Sequence, residues 1–434
     1  MKLYLAVLAA LMTVAGLRAD DWPQWMGPKR DNVWREDGII EKFPEGGPKK
    51  LWTAPIAGGY SGPAVVGDKL YVTDYVKKTG ETDEGNFTRK ETTGIERVLC
   101  LDATTGKTIW KHESEVKYAI SYPAGPRATP LVDGKIVYTL GAEGHLIAFD
   151  AATGKVVWEK ELKMIYKTKS ALWGYAAHPM IDGDKLITLA GGEGSHVVAF
   201  DKTTGKELWK AESQKEQGYS PPTIIEAGGK RQLIVPGPTA IRSLDPETGK
   251  RYWTQPYDAT SGSVIMTAIQ YKEYLFFGGY QSKNLLLKLD AAKPTATAVW
   301  KDKKNAGMSP VNVQPFLQDN VLYGFEDGGV MHAVELPSGK ILWESTDLVG
   351  DAKGSETAFL VKNGDRFVCF TERGDLVFCK LTKEKYEEID RAKGLIAMTN
   401  TAFGRKVVWC APAFANKRMY VRNDKEIACF DLAK

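Results

Sequence analysis

The chain offers none of the short signatures that carry a known chemistry. HExxH, GxSxG, CxxC and CxxCH are all absent. No zincin, hydrolase nucleophile elbow, thiol redox pair or c-type haem can be read from it. Cysteine is scarce: Cys100, Cys369, Cys379, Cys410 and Cys429 are five in 434 residues, odd in number and never adjacent. Most sit inside apolar strands and read as buried thiols acting as small hydrophobes, not as a disulfide framework or a metal site. No block of one sign of charge occurs. The net charge is +4, or +2 without Lys2 and Arg18 of the leader, and the signs alternate along the chain. That excludes a nucleic-acid-binding tract and a disordered acidic tail. Beyond the first 19 residues no apolar run is long enough to span a bilayer.

Residues 1–19 read as a signal peptide. Lys2 is the basic start, "LYLAVLAALMTVAGL" the apolar core and "LRA" the exit before Asp20. No cysteine follows the core, so no lipid anchor is expected, and the mature protein is expected in the periplasm or outside the cell.

What the chain has in abundance is glycine, 43 residues, and a repeated ten-residue phrase. "LDATTGKTIW" at 101–110 returns as "FDAATGKVVW" at 149–158, "FDKTTGKELW" at 200–209 and "LDPETGKRYW" at 244–253. Aligned on the acidic position (Asp102, Asp150, Asp201, Asp245, Asp290, Glu335, Lys380, Asp431), the spacing is 44–51 residues. Such a period marks a supersecondary unit that buries its faces only by stacking on neighbours. Residues 127–160 spell one unit in full: "RATPLV", "KIVYTLG", "HLIAFD" and "KVVWEK" alternate as four strands, with glycine at the turns. Four antiparallel strands per period make a β-propeller blade. "GKT" in the phrase is no phosphate loop, because the first glycine of that motif would fall on Leu101.

The phrase is therefore architecture. The aspartate is expected to bond backbone N–H groups of the turn, Gly106 to supply a positive φ, and the tryptophan to cover the seam to the next blade. Trp52, Trp110, Trp158, Trp209, Trp253, Trp300 and Trp343 hold this docking position. Seven periods are complete. The C-terminal "VVWCAPAFANKRMYVRNDKEIACFDLAK" supplies three further strands, and "KKLWTAP" at 49–55 supplies a lone outer strand. The expected fold is all-β: an eight-bladed propeller over 49–434, closed by N- and C-terminal strands. Residues 20–48, with prolines scattered among Trp22, Trp25 and Trp34, are expected to form no blade and to lie on the propeller body. "TKEKYEEIDRAKG" reads as the one helical turn, and the polar insertion 73–96 as a loop.

"KKLWTAPIAGGYSGPAVVGDKLYVTDY…RVLCLDATTGKTIW" resembles the pyrroloquinoline-quinone (PQQ)-like β-propeller repeat proteins. That group includes BamB, the propeller lipoprotein of the outer-membrane assembly machinery, and the quinoprotein alcohol dehydrogenases. "DWPQWMGPKRDNVWREDGI" and "RNDKEIACFDL" look like a subgroup of exported propellers common in planctomycete-type bacteria. The resemblance implies the fold. It does not imply an activity, because the shared residues are docking tryptophans and turns. The quinoproteins of the group hold PQQ with calcium, use an acid base, and many carry an adjacent-cysteine disulfide, which this chain lacks.

The repeats agree on the "DxxTGK" face and diverge in the links between blades, where recognition is expected. Tyr60, Arg127, Trp173, His178, Tyr219, Ser261, Ser309, Glu356 and Arg405 stand just before inner strands and are the candidate binding residues. Glu356 and Arg405 are also candidates for an anionic-cofactor or metal site. The expected function is a non-enzymatic binding or scaffold propeller, monomeric, with a cell-envelope protein or glycan as partner and no cofactor. A PQQ–calcium dehydrogenase and a carbohydrate-binding platform are the alternatives.

Overall fold

A computed structural model describes residues 20–81, 87–351 and 353–434; the leader, 1–19, lies outside the described residues. Eight four-stranded antiparallel sheets and one two-stranded hairpin account for its strands. Blade 1 runs Ala64–Val66, Lys69–Thr79, Lys90–Asp102 and Thr108–Ile120 from the channel outward. Blades 2 to 7 occupy 131–161, 180–211, 223–256, 269–301, 316–345 and 358–392. Blade 8 takes Ala413–Ala415, Arg418–Arg422 and Glu426–Asp431 from the C-terminus and its outer strand, Lys50–Pro55, from the N-terminus. Thr53 pairs with Ala428, Ala54 with Ile427 and Pro55 with Glu426. The chain is thus an eight-bladed propeller whose first strand completes its last sheet.

The repeated phrase stitches blade to blade. Trp52 Nε1–H donates to the Ala103 carbonyl at 3.1 Å, Trp110 to Ala151 at 3.1 Å and Trp158 to Lys202 at 3.0 Å. Trp209, Trp300 and Trp343 reach the next blade in the same way, at Pro246, Pro337 and Thr382. Trp253 departs from the series and donates instead to the Gln232 side chain within its own blade, at 2.8 Å. Five of the indoles, those of Trp52, Trp110, Trp158, Trp209 and Trp300, lie over the turn glycine of the neighbouring phrase. A Cβ on Gly106 would stand 2.5 Å from Trp52, and one on Gly154 2.5 Å from Trp110. Glycine is needed there for room as well as for φ, which is +73° and +71° at the two positions. The aspartates close the turns. Asp150 Oδ1 accepts from the Thr153 hydroxyl at 2.7 Å and its N–H at 2.8 Å, and these bonds hold the carboxyl below the usual range.

Two local expectations are overturned. "TKEKYEEIDRAKG" is not helical: Tyr386–Ala392 is the outer strand of blade 7, paired with Leu376–Leu381. Sheet pairing supplies partners for its backbone that a short isolated helix would lack. The described part of the 73–96 insertion is not a loop either. Its alternating β-branched residues lengthen blade 1, and pairing continues out to Thr79↔Thr93 and Lys90↔Ile120. A short α-helix, Leu162–Tyr166, follows the outer strand of blade 2. All five cysteines are buried and unpaired.

Candidate binding cavity

The N-terminal segment determines the shape of the channel. Trp22 bridges to Val65 of blade 1, and the Pro23 carbonyl accepts from Val132 N–H of blade 2. Arg30 donates to the Pro179 carbonyl before blade 3 at 3.0 Å and to Pro222 before blade 4 at 3.4 Å. Asn32 and Trp34 then exchange backbone bonds with Lys362 of blade 7. Trp22 and Trp34 both lie against Phe414 of blade 8. Residues 22–34 therefore cross the channel, touching the innermost parts of six blades. Trp22 is 3% and Trp34 1% exposed, so the crossing is anchored by large buried rings.

Above this floor lies a cavity of about 250 Å³. Trp22, Trp25, Met26 and Asn32 line it from the crossing segment, and link residues together with Phe359, Leu360 and Val361 of the inner strand of blade 7 line the rest. Links 1 and 2 are held together by contacts only glycine permits. A Cβ on Gly58 would stand 2.4 Å from the Ala124 carbonyl, and one on Gly125 2.4 Å from that of Gly58. The N–H groups of Tyr60 and Ser61 donate to the Pro126 carbonyl at 2.8 and 3.0 Å. Arg422, fully buried in blade 8, pins the same link through the Ala57 carbonyl at 2.6 Å. This places the Tyr60 ring 5.0 Å from the Arg127 guanidinium.

Five predicted residues meet here: Tyr60, Arg127, Trp173, His178 and Tyr219 all line the cavity. Arg127 donates to the carbonyls of Ser121, Tyr122 and Gly125, has no ion-pair partner among the described residues, and is lowered in pKa by burial. Its charge is therefore solvated by backbone dipoles. His178 stacks on Trp25, with centroids 4.6 Å apart and planes 16° apart. Its Nδ1 is buried without a partner, and burial beside Arg30 pushes its pKa down to about 3, so the imidazole is neutral. Burial raises the phenols of Tyr60 and Tyr219. Trp173 meets Tyr219 at 5.2 Å and Phe87 at 5.8 Å.

The other four stand outside the lining. Ser261 is exposed in a one-turn 3-10 segment, and the next serine, Ser263, lines the cavity in its place. Ser309 is buried, its N–H donating to Glu326 at 2.8 Å. Glu356 is buried and held by two nitrogens of Arg373, each at 2.8 Å. Arg405 is paired with buried Glu372 at 2.7 Å, and Glu372 also accepts from Trp409 Nε1 at 2.9 Å. Both carboxylates are committed to holding the rim of blade 7.

Most of the other lining residues were not singled out in the sequence, and four of them are informative. Tyr122 and Trp409 meet at 6.0 Å across the links into blades 2 and 8. A signal existed, because both stand in the proline-containing stretches "SYPAGP" and "VVWCAP". Asn32 and Asn312 also line the cavity, and nothing in the periodicity marks them. Among the described residues no aspartate, glutamate or lysine lines it. Among the described residues no group of three histidine, cysteine or carboxylate side chains is placed to hold a metal ion, and no helix is long and apolar enough to cross a membrane.

The fold is shared widely among solved structures. BamB from Moraxella catarrhalis is similar at 18% identity and a TM-score of 0.55, over 88% of this chain and 97% of that one. The quinohemoprotein alcohol dehydrogenase of Comamonas testosteroni is similar at 15% identity and a TM-score of 0.61, over 94% and 80%. The quinohemoprotein alcohol dehydrogenase ADHIIG of Pseudomonas putida HK5 gives 13% and 0.60, over 95% and 80%. At these identities the likeness shows the fold alone. No curated protein sequence matches the chain. The family described as outer membrane protein assembly factor BamB matches residues 95–345, more than half of the length, and the chain belongs to that family of propellers.

Proposed function

We propose that this protein is a non-enzymatic binding propeller of the bacterial cell envelope, exported by its leader, and that the cavity on the linking face receives its ligand. The observation that carries this reading is the lining: aromatic rings around one guanidinium held by backbone carbonyls, on a floor built by the chain's own N-terminal segment. A rigid concave frame binds without a large ordering cost, and aromatic side chains are efficient contact residues.

The dehydrogenase reading has less support. Calcium takes six to eight oxygen ligands, carboxylates prominent among them. The described residues of the cavity offer no carboxylate, and Glu356 and Glu372 are each committed to an arginine. The described residues do not fit a calcium-held quinone.

The test is reconstitution of the purified mature protein with PQQ and calcium, followed by alcohols and sugars with an artificial electron acceptor. No sustained turnover is expected. Turnover lost on Glu356→Gln would overturn the non-enzymatic reading.

A further inference from the structure

We infer that Cys369 and Cys379 of blade 7 are a disulfide-forming pair, a modification site whose bond staples the hairpin that holds the cavity rim. The inference goes beyond the binding-propeller reading and takes from it only the export of the chain into a compartment where disulfides persist.

The geometry carries it. Arg366–Thr371 and Leu376–Leu381 are the two middle strands of blade 7. In their pairing Phe367 lies opposite Cys379 and Cys369 opposite Val377. Side chains alternate between the faces of a sheet, so the two cysteines share one face and stand diagonally across the ladder. Their sulfur atoms are 3.6 Å apart, and both side chains are buried. Bonded sulfurs are separated by about 2.05 Å, so closure moves each by roughly 0.8 Å, within the reach of side-chain rotation. The other three cysteines lie elsewhere: Cys100 in blade 1, Cys410 in the link into blade 8 and Cys429 in the final strand.

The bond forms by exchange with a disulfide oxidant, R–S–S–R. One cysteine thiolate attacks a sulfur of the oxidant, which makes a mixed disulfide and releases one R–S⁻. The second thiolate attacks the protein sulfur of that mixed disulfide, and the second R–S⁻ leaves. Two cysteine S–H bonds are lost and one S–S bond is made. The oxidant takes up the two electrons and two protons as two R–SH. In the folded chain the pair is packed against Tyr323 and Ala333 of blade 6, and burial raises the Cys369 thiol well above its ordinary pKa. The exchange therefore belongs to folding, before blade 6 covers the thiols.

The strands that carry the pair lead into the turn Thr371–Asp375, closed by the Thr371 N–H and the Asp375 carbonyl at 2.9 Å. Glu372 of this turn accepts from Arg405 and from cavity-lining Trp409, and Arg373 holds Glu356. The Glu372 carbonyl also accepts from Val408 N–H at 2.7 Å. A covalent bond behind the turn limits its opening, and with it the opening of both rim salt bridges.

The purified mature chain is unfolded and refolded either in mixed oxidised and reduced glutathione or in excess reductant. Free thiols are then alkylated under denaturing conditions. Trypsin separates the two cysteines into peptides 367–373 and 374–380, so mass spectrometry of the linked pair identifies the bond. The glutathione preparation is expected to give that linked pair, with Cys100, Cys410 and Cys429 alkylated. Amide hydrogen exchange over 371–376 and 405–409 is expected to be at least about fivefold slower in it than in the reduced preparation. The double variant Cys369→Ala/Cys379→Ala should exchange like the reduced protein whichever way it is refolded. Five alkylated cysteines, a linkage to any other cysteine, or equal exchange in the two preparations overturns the inference. The same map is made on chain taken from the envelope of the producing cell. A linked pair after glutathione refolding that is missing from the cell-derived chain leaves the pair assigned and counts against the export reading.

Discussion

Trp52, in the strand nearest the N-terminus, lies opposite Cys429 in the final strand of the chain. This pairing closes the ring, and its indole N–H also reaches forward to blade 1. One residue therefore ties the last blade to the first. Removing residues 49–55 strips the outer strand from blade 8 and exposes an unpaired edge, a template for aggregation. The truncated protein is expected to form soluble oligomers or precipitate under conditions where the full chain is monodisperse by light scattering. An unchanged monomer would mean the closure does not protect the edge.

The turn glycines separate two physical demands. Gly154 has φ +71° and would place a Cβ 2.5 Å from Trp110, whereas Gly134 has φ +58° and open space around it. Gly134→Ala should cost only the backbone strain, about 1 kcal/mol. Gly154→Ala adds overpacking against a large ring, for a total of roughly 2–4 kcal/mol. Denaturant midpoints of the two variants check this, and equal losses would show that the indole contact carries no weight.

Glu326 provides a pH-dependent term. Burial, then the nearby Asp327 and Glu344 charges, push its pKa up to about 7, against the Ser309 N–H bond that lowers it. His332 Nδ1 lies 3.9 Å away, with its own pKa lowered by burial. A carboxyl raised in the folded state contributes stability that is full below its unfolded value of 4.5 and is lost as pH rises through about 7. Glu326→Gln keeps an acceptor for Ser309 and removes the charge. It should raise stability at pH 8 by on the order of 1–3 kcal/mol and leave it nearly unchanged at pH 5. Equal effects at both pH values would refute the assignment.

The fold was legible because the phrase carrying it is repeated. Asp102, Gly106 and Trp110 serve the same turn and seam as their counterparts, so the period could be read off one sequence. The candidate site was legible only in part. Tyr60, Arg127, Trp173, His178 and Tyr219 stand in links that reach the channel. Glu356 and Arg405 stand in equivalent links, but the salt bridges to Arg373 and Glu372 turn them into the rim, and nothing in the chain announces those partners. Asn32 was hidden for another reason. The route of residues 22–34 across the channel is fixed by contacts with blades more than 300 residues away, such as Trp34 with Lys362, and no local pattern encodes them.

The central claim is that the linking face, and not the face of repeated turns, does the binding. A photo-crosslinking amino acid would be placed at Phe403, exposed on the link hairpin beside Trp409, or at Thr104, exposed in a repeated turn. Each variant is irradiated in the envelope of the producing cell, and adducts are quantified by mass spectrometry against folded, unirradiated controls. Adducts at position 403 with none at position 104 are the predicted result. Adducts at position 104 alone would contradict the account.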